Sequence, residues 1–294
     1  MDWKSKRVES LLEQALTEDK ATSDATTALT IDPRLRATAT LLAKQECVLS
    51  GIGCIPRFLS LFAKLDKGPE QRFEIVSHPE IFDGVRIRKG QAIAVIRHNA
   101  RVLLACERVI LNLMQRMSGI ATMTRRYVDE LAGTKTQLLD TRKTVPGLRV
   151  LDKYAVLCGG GVNHRLDLSD GILIKNNHIS LGGGMEAVLA NAHANRKPEQ
   201  KIEVEVRSMQ ELETAIASGV DSLLVDNMTP EEVRKAVKFV RSRGLSIPIE
   251  ASGGIQLDNV RKYALAGVDY ISVGALTHSV PAVDLSMKIT ADIY

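Results

Sequence analysis

From residue 135 onward the chain alternates between short apolar segments and longer amphipathic ones. Runs of four or five β-branched and other apolar residues predict strands, and the segments between them begin and end with helix-capping residues. The predicted strands are 136–140, 171–175, 202–206, 222–226, 247–251 and 270–273. Six strand–helix repeats predict a parallel sheet, which is either open and doubly wound or closed as a barrel.

Charged residues within these strands favour the barrel. In 202–206 the β-branched residues share one face of the strand, and Glu203 and Glu205 share the other. An open doubly wound sheet carries helices on both faces and therefore needs two apolar faces. A barrel carries helices only outside, so its charged face can point inward. Active sites in such barrels lie at the C-terminal ends of the strands.

The charged residues at the strand ends therefore predict one site. We expect convergence of Asp140, Arg142, Lys143, Lys175, Glu205, Asp226 and the turn Ser252-Gly253-Gly254. So many charges in one place are costly to bury unless they pair or meet a charged ligand. If residues 140–147 are considered alone, the alternative to a functional site is a solvent-exposed loop whose charges have no special role.

Glycine turns add a second indication. Segments 251–254 and 272–275 follow late strands, and backbone N–H groups in such turns can bind a phosphate, although ordinary turns use the same residues. Three glycines also precede His164 and Arg165. Acidic residues can bind ribose hydroxyls or Mg²⁺, and a glycine turn can bind a phosphate. Together they suggest that the substrate is a phosphorylated sugar. The cations exceed what one phosphate needs, which implies a second anionic substrate.

The earlier part of the chain follows another pattern. After a leading amphipathic helix, short strands between about 36 and 100 predict a small α+β domain. A long helix follows over about 100–131, with Gly119 as a possible break. We predict a first domain over residues 1–115 and a barrel domain over 116–294 that ends in a C-terminal helix.

Composition limits the function classes. The net charge is only +4, aromatic residues are 4%, and no basic stripe is interleaved with them, so nucleic-acid binding is not indicated. No apolar run approaches the ~20 residues that span a bilayer. The N-terminal segment lacks a secretory signal, and the four cysteines show no C-x-x-C spacing. We therefore expect a cytoplasmic protein with buried thiols and no membrane association.

Motifs spread over the chain carry a resemblance to a known family. They are Glu107-Arg108, 113–122, Thr141-Arg142-Lys143-Thr144, 146–149, 153–155, 159–165, 173–179, 203–206, 224–228, 250–255 and 272–278. Together they resemble the quinolinate phosphoribosyltransferases, also called nicotinate-nucleotide pyrophosphorylases (carboxylating), in the family's order and over nearly the whole chain. The sequence departs from the family pattern at Val145, at Val162 and in the acidic N-terminal segment 18–24.

The resemblance implies a reaction and an assembly. The family converts quinolinate and phosphoribosyl pyrophosphate to nicotinate mononucleotide, CO₂ and pyrophosphate with Mg²⁺, in de novo NAD synthesis. Its fold is an incomplete TIM-like α/β barrel with an N-terminal α+β sandwich domain. Its homodimers share active sites, because the N-terminal domain of one chain covers the barrel of the other, and higher oligomers are possible.

The resemblance also implies residue roles. The two quinolinate carboxylates are held by Arg142, His164, Arg165 and Lys175, with Arg108 entering from the partner chain. Thr141 is a further substrate-binding residue, and Lys143 serves the pyrophosphate or the substrate. Ribose hydroxyls and Mg²⁺ are assigned to Glu205 and Asp226. The 5′-phosphate is assigned to Ser252, Gly253, Gly254, Val273, Gly274 and Ala275. The predicted catalytic residues are Lys143, Lys175, Glu205 and Asp226.

Three other functions stay open at this point. One is a molybdenum-transport-associated paralogue of the same fold, against which Lys175 and the pair His164-Arg165 argue. A second is an aldolase that forms a Schiff base at Lys175. A third is a phosphosugar-binding protein without activity, since a fold alone does not determine function. The resemblance assigns Asp140 no role, and we expect it to pair with the neighbouring cations.

Overall fold

A computed structural model describes residues 1–67 and 72–292. Its strands are β1 (Arg36–Ala43), β2 (Cys47–Val48), β3 (Glu74–Val76), β4 (Arg86–Ile87), β5 (Ala92–Asn99), β6 (Gln137–Leu139), β7 (Ile172–Ile174), β8 (Ile202–Val206), β9 (Ser222–Asp226), β10 (Ile249–Ser252), β11 (Tyr270–Ser272) and β12 (Leu285–Ala291). Its helices are α1 (Lys6–Glu18), α2 (Ala25–Thr30), α3 (Cys54–Asp66), α4 (Ala100–Glu130), α5 (Arg149–Cys158), α6 (Asn176–Leu181), α7 (Met185–Asn195), α8 (Met209–Ala217), α9 (Pro230–Ser242), α10 (Val260–Leu265) and α11 (Ala275–His278).

The chain forms two compact units. The first contains the described residues of Met1–Arg125, Val145–Gly160 and Ser279–Tyr294, and the second contains Arg126–Thr144 and Gly161–His278. These units differ from the predicted division after residue 115. The helix α4 continues through that position to Glu130, and the last strand belongs to the first unit.

The first unit is built on an antiparallel sheet with strand order β12-β1-β5-β3. Alternate residues of β1 are buried, which fits a strand with one face on the core. The expected C-terminal helix is wrong, because β12 pairs antiparallel with β1. Its apolar residues Leu285, Met287 and Ile289 recur every second position, which is the period of a strand.

Gly119 does not break α4, contrary to the expectation from sequence. The helix runs without interruption from Ala100 to Glu130. A Cβ atom at Gly119 would lie 2.4 Å from the carbonyl oxygen of Pro281. Glycine is therefore required there by the close approach of another backbone segment, and not by a change of helix direction.

The second unit contains a parallel sheet with strand order β6-β11-β10-β9-β8-β7. Among the described residues β6 pairs on its other side only with Val162, through an isolated parallel bridge at Leu139. The sheet is therefore an incomplete barrel, which confirms the predicted fold class. In β8 the residues Ile202, Val204 and Val206 are fully buried and alternate with the two glutamates, as predicted.

Capping residues begin α8 and α9, as predicted for the segments between the strands, but the two caps differ. Thr229 and Glu232 form a reciprocal capping box at the start of α9. At α8 the Ser208 hydroxyl accepts the N–H of Glu211 at 3.2 Å, but the Glu211 carboxylate accepts the N–H of Arg207 at 2.7 Å. The backbone of Arg207 is thereby tied to the first turn of α8.

Two further expectations concern cysteines and membranes. All four cysteines are buried and free, as predicted, and burial raises the pKa of the Cys106 thiol to about 12. Within residues 1–67 and 72–292 no helix has the length and apolar character needed to cross a membrane.

Candidate active site

A cleft of about 390 Å³ lies in the second unit, and each of the six parallel strands contributes to it at least one residue at or near its C-terminal end. They are Thr141, Arg142, Lys143, His164, Arg165, Leu173, Lys175, Glu205, Arg207, Leu224, Asp226, Glu250, Ser252 and Ser272. This is where a barrel of this kind places its active site.

Nine residues of the predicted site line this cleft. They are Thr141, Arg142, Lys143, His164, Arg165, Lys175, Glu205, Asp226 and Ser252. Five others follow β10 and β11: Gly253, Gly254, Val273 and Gly274 lie in the turns after these strands, and Ala275 begins α11. Arg108 lies on α4 in the first unit and is exposed.

The cationic side of the cleft carries charges that face one another. Arg142 and Arg165 are partly buried, whereas Lys143 and Lys175 are exposed. Burial lowers the pKa of Arg165, and the nearby Arg142 guanidinium lowers it further. Two guanidinium groups that repel each other in this way are stabilised by an anion placed between them.

The glycine turn after β11 lies against the cationic side. A Cβ atom at Gly274 would lie 2.8 Å from the Cδ atom of Lys143. The Thr277 hydroxyl donates a hydrogen bond to the carbonyl oxygen of Lys143 at 2.8 Å. The turn assigned to a phosphate and the lysine assigned to the pyrophosphate or the substrate are therefore neighbours.

The turn after β10 also needs its glycine. Gly253 has φ +90°, and a Cβ atom there would lie 2.3 Å from Oδ1 of Asn227. Any other residue would meet both backbone strain and a clash. The hydroxyls of Ser252 and Ser272 lie 3.0 Å apart in a hydrogen bond and join the ends of β10 and β11.

Asp140 lies behind the cleft and does not line it, which corrects the expectation that it converges with the other charges. It is fully buried, and its Oδ1 accepts the backbone N–H of His164 at 2.8 Å. The segment after the triple glycine lies alongside β6, since the Val162 N–H donates to the Leu138 carbonyl at 2.8 Å. Asp140 thus positions the backbone that carries His164 and Arg165.

His164 contacts two glutamates that sequence reasoning did not place in the site. Its Nε2 lies 3.5 Å from Oε2 of Glu203 and 3.3 Å from Oε2 of Glu250. We call Glu203 and Glu250 the histidine-linked pair. Burial lowers the pKa of His164, but hydrogen bonds to both glutamates outweigh it and raise the pKa to about 10. Burial also raises the pKa of Glu250.

The imidazole of His164 is also held from its other side. The backbone N–H of Arg165 lies 2.7 Å from Nδ1 of His164. The ring therefore lies between the backbone and the two glutamates, and its Nε2 faces the glutamates.

A second pair of carboxylates lies at the ends of neighbouring strands. Glu205 belongs to β8 and Asp226 ends β9. Arg207 bridges them, with Nη2 3.3 Å from Oε1 of Glu205 and Nε 3.1 Å from Oδ2 of Asp226. We call Glu205 and Asp226 the arginine-linked pair. Arg207 is the second feature that sequence reasoning missed.

Two groups of side chains in the cleft region contain atoms that can act as metal ligands. The ligand atoms of His164, Glu203 and Glu250 lie within 4.8 Å of one another. His164 already contacts both carboxylates of that group, however, and its raised pKa favours the charged imidazolium as their counter-ion. The arginine-linked pair offers carboxylate oxygens in the cleft, and these are the ligands that Mg²⁺ prefers.

Comparisons with known proteins agree with this geometry. Residues 24–118 match the N-terminal domain and residues 120–288 the C-terminal domain of quinolinate phosphoribosyl transferase. The chain is 40% identical to a Bacillus subtilis (strain 168) protein named "Probable nicotinate-nucleotide pyrophosphorylase [carboxylating]", over 97% of this chain and 94% of the relative. It is 39% identical to the nicotinate-nucleotide pyrophosphorylase [carboxylating] of Mycobacterium leprae (strain TN), over 95% of each chain.

A solved structure extends the similarity to the whole fold. The crystal structure of NadC from Streptococcus pyogenes superposes with a TM-score of 0.91 at 37% identity and covers 100% of both chains. Both family domains match in the expected order, and together they span most of the sequence. This chain therefore belongs to the quinolinate phosphoribosyltransferase family.

Proposed function

We propose that this protein transfers the phosphoribosyl group of phosphoribosyl pyrophosphate to the ring nitrogen of quinolinate. The products are nicotinate mononucleotide, CO₂ and pyrophosphate, and the reaction supplies NAD biosynthesis. Membership of the family supports this reaction. The observation that carries the proposal is the cleft itself, where a cationic side, an acidic pair and two glycine turns meet.

The cationic side fits a dicarboxylate. Arg142, Arg165 and Lys175 can each donate to a carboxylate oxygen, and arginine does so with two parallel hydrogen bonds. The depressed pKa of Arg165 supports this assignment, because an anion between two guanidiniums relieves their repulsion. His164, held by Asp140 through its backbone, fixes the edge of this subsite.

The acidic pair fits the sugar. When pyrophosphate leaves, positive charge develops on the ribose, and the carboxylates of Glu205 and Asp226 can stabilise it electrostatically. The same two residues would hold Mg²⁺, whose charge would offset that of the pyrophosphate leaving group. In the turns 252–254 and 273–275, backbone N–H groups bind the 5′-phosphate.

Alignment of the two substrates completes the chemistry. The ring nitrogen attacks C1 of the ribose, the bond from C1 to the pyrophosphate oxygen breaks, and the ring nitrogen becomes cationic. The carbon–carboxylate bond beside that nitrogen then breaks, its electron pair stays on the ring carbon, and CO₂ leaves. Water supplies the proton that this carbon takes up. The residues of the cleft orient both substrates, and no catalytic base is needed.

We further propose a cytoplasmic homodimer with shared active sites, in which Arg108 of one chain enters the cleft of the other. The exposed position of Arg108 on α4 supports this assignment. Arg108→Ala and Lys175→Ala chains, each inactive alone, should then regain part of the activity when mixed. A proven heterodimer without recovery would contradict the shared site.

The test of the reaction is release of labelled CO₂ from carboxyl-labelled quinolinate. We expect release only when phosphoribosyl pyrophosphate and Mg²⁺ are both present, in a one-to-one ratio with pyrophosphate. Nicotinate is the matched substrate control, because it lacks the carboxylate that leaves. Equal use of nicotinate as phosphoribosyl acceptor would contradict the assignment to quinolinate.

A further inference from the structure

Arg207 occupies a position in the cleft that the proposed reaction does not yet use. Its backbone is fixed at the start of α8, where its N–H donates to the Glu211 carboxylate at 2.7 Å. Its side chain is 52% exposed, whereas those of Glu205 and Asp226 are only 11% and 14% exposed. A solvent-exposed guanidinium therefore covers the outer side of a largely buried pair of acids.

The contacts of Arg207 use one oxygen of each acid. Nη2 faces Oε1 of Glu205, and Nε faces Oδ2 of Asp226. The Oδ2 atom of Asp226 also accepts a hydrogen bond from the Asn227 side-chain amide at 2.9 Å. Two carboxylates at neighbouring strand ends repel each other, and the guanidinium offsets this repulsion. A divalent cation held by the same two acids would offset this repulsion in the same way.

A guanidinium and a divalent cation are therefore alternatives at this pair. While Arg207 contacts both acids, its charge repels an arriving cation and its N–H groups occupy lone pairs that the cation needs. The arginine side chain is long and half-exposed, so it can leave the acids without disturbing the core. An arriving pyrophosphate group offers it new oxygen acceptors nearby.

We propose that Arg207 is a positioning residue that acts as the resident counter-ion of the arginine-linked pair. The free protein then binds divalent cations weakly, and it takes up the cation together with the pyrophosphate-bearing substrate. Arg207 releases Glu205 and Asp226 at that step. This inference rests on the proposed function for its choice of Mg²⁺ and phosphoribosyl pyrophosphate, but its evidence is the geometry of the three side chains.

The test measures Mn²⁺ binding by electron paramagnetic resonance, since bound Mn²⁺ loses the signal of the free ion. Wild type, Arg207→Gln and Arg207→Lys are titrated without substrate. We expect Arg207→Gln to bind Mn²⁺ about two- to fivefold more tightly, because the lost contact is a partly exposed ion pair. Arg207→Lys should stay close to wild type. With phosphoribosyl pyrophosphate present, the three proteins should become alike.

Arg241 provides the matched control. It pairs with Asp269 at 2.7 Å, is 36% exposed and does not line the cleft. Arg241→Gln removes the same charge, so equal tightening in that variant would mean a general charge effect and would overturn the proposal. Unchanged or weaker Mn²⁺ binding in Arg207→Gln would overturn it too. Arg207→Met serves as a second uncharged variant, and circular dichroism confirms that each protein is folded.

The Mn²⁺-binding test of Arg207 can fail or succeed independently of the CO₂-release test of the proposed reaction. If wild type releases no CO₂ from quinolinate, the proposed function fails, while the Mn²⁺ comparison without substrate still tests Arg207. If CO₂ is released but Arg207→Gln binds Mn²⁺ like wild type, only the role of Arg207 fails.

Discussion

Strand β8 carries two glutamates that belong to two different acidic pairs, and the pairs are neutralised in different ways. The histidine-linked pair, Glu203 and Glu250, faces His164, whose side chain is 16% exposed and whose backbone is held by Asp140. The arginine-linked pair faces Arg207, which is 52% exposed. One partner is fixed in place, and the other is free to exchange with solvent and ligands.

The difference teaches how one strand serves both fold and function. Protons held between buried groups are part of the folded structure, so the histidine-linked pair connects pH to stability. A flexible counter-ion at the surface adds little stability, but it leaves carboxylates available for a ligand. We therefore expect changes in the two pairs to affect different measurable properties.

The largest expected effect concerns activity. Asp226→Asn removes a charge that stabilises the developing positive charge on ribose, so kcat should fall by about 10²- to 10³-fold. Asp221 precedes the same strand, β9, and pairs with Arg196. Asp221→Asn is the control and should keep kcat within a few-fold of wild type. A similar loss of kcat in both variants, measured by steady-state kinetics, would show that the effect is not specific to the C-terminal end of β9.

A smaller effect concerns the pH dependence of stability. His164 gains affinity for its proton on folding, because its pKa rises from the ordinary 6.5 to about 10. The stabilisation is fully present below pH 6.5 and is lost as pH rises towards 10, and the raised pKa of Glu250 acts in the same direction. The free energy of unfolding in urea should therefore fall between pH 7 and pH 9.5, by at most about 1.4 kcal/mol per pH unit for one proton.

Variants assign this pH effect to a residue. His164→Gln should show a flatter dependence than wild type over the same range. Burial lowers the pKa of His98 to about 4, so above pH 8 His98 is neutral in both the folded and the unfolded chain, and His98→Gln should keep the slope of wild type from pH 8 to pH 9.5. A wild-type slope in His164→Gln would show that the histidine-linked pair does not hold the proton.

Much of the fold could be predicted from the sequence, since the period of apolar residues and the capping residues are local signals. The alternation in 202–206, together with charged residues in the other strands, favoured a barrel with a charged interior face. Gly119 and the C-terminal segment were misinterpreted for a shared reason. The backbone contact at Gly119 and the pairing of β12 with β1 join residues that are far apart in sequence.

The site could be predicted in part. Apart from Asp140, the charged residues predicted at strand ends line the cleft, because parallel strands bring those ends together. Glu250 was missed as a site residue although an acid in an otherwise apolar strand is a signal. Arg207 left no signal, because a single arginine before a helix is ordinary and only the geometry shows the two acids that it bridges.

The most direct test of this account compares the two glutamates of β8 in one experiment. For Glu205→Gln we expect kcat/KM for phosphoribosyl pyrophosphate to fall about 100-fold or more, with the free energy of unfolding changed by less than about 1 kcal/mol. For Glu203→Gln we expect a loss of about 1–3 kcal/mol in the free energy of unfolding, with kcat/KM kept within about tenfold. Equal losses of activity and stability in both variants would contradict the division of duties between the two pairs.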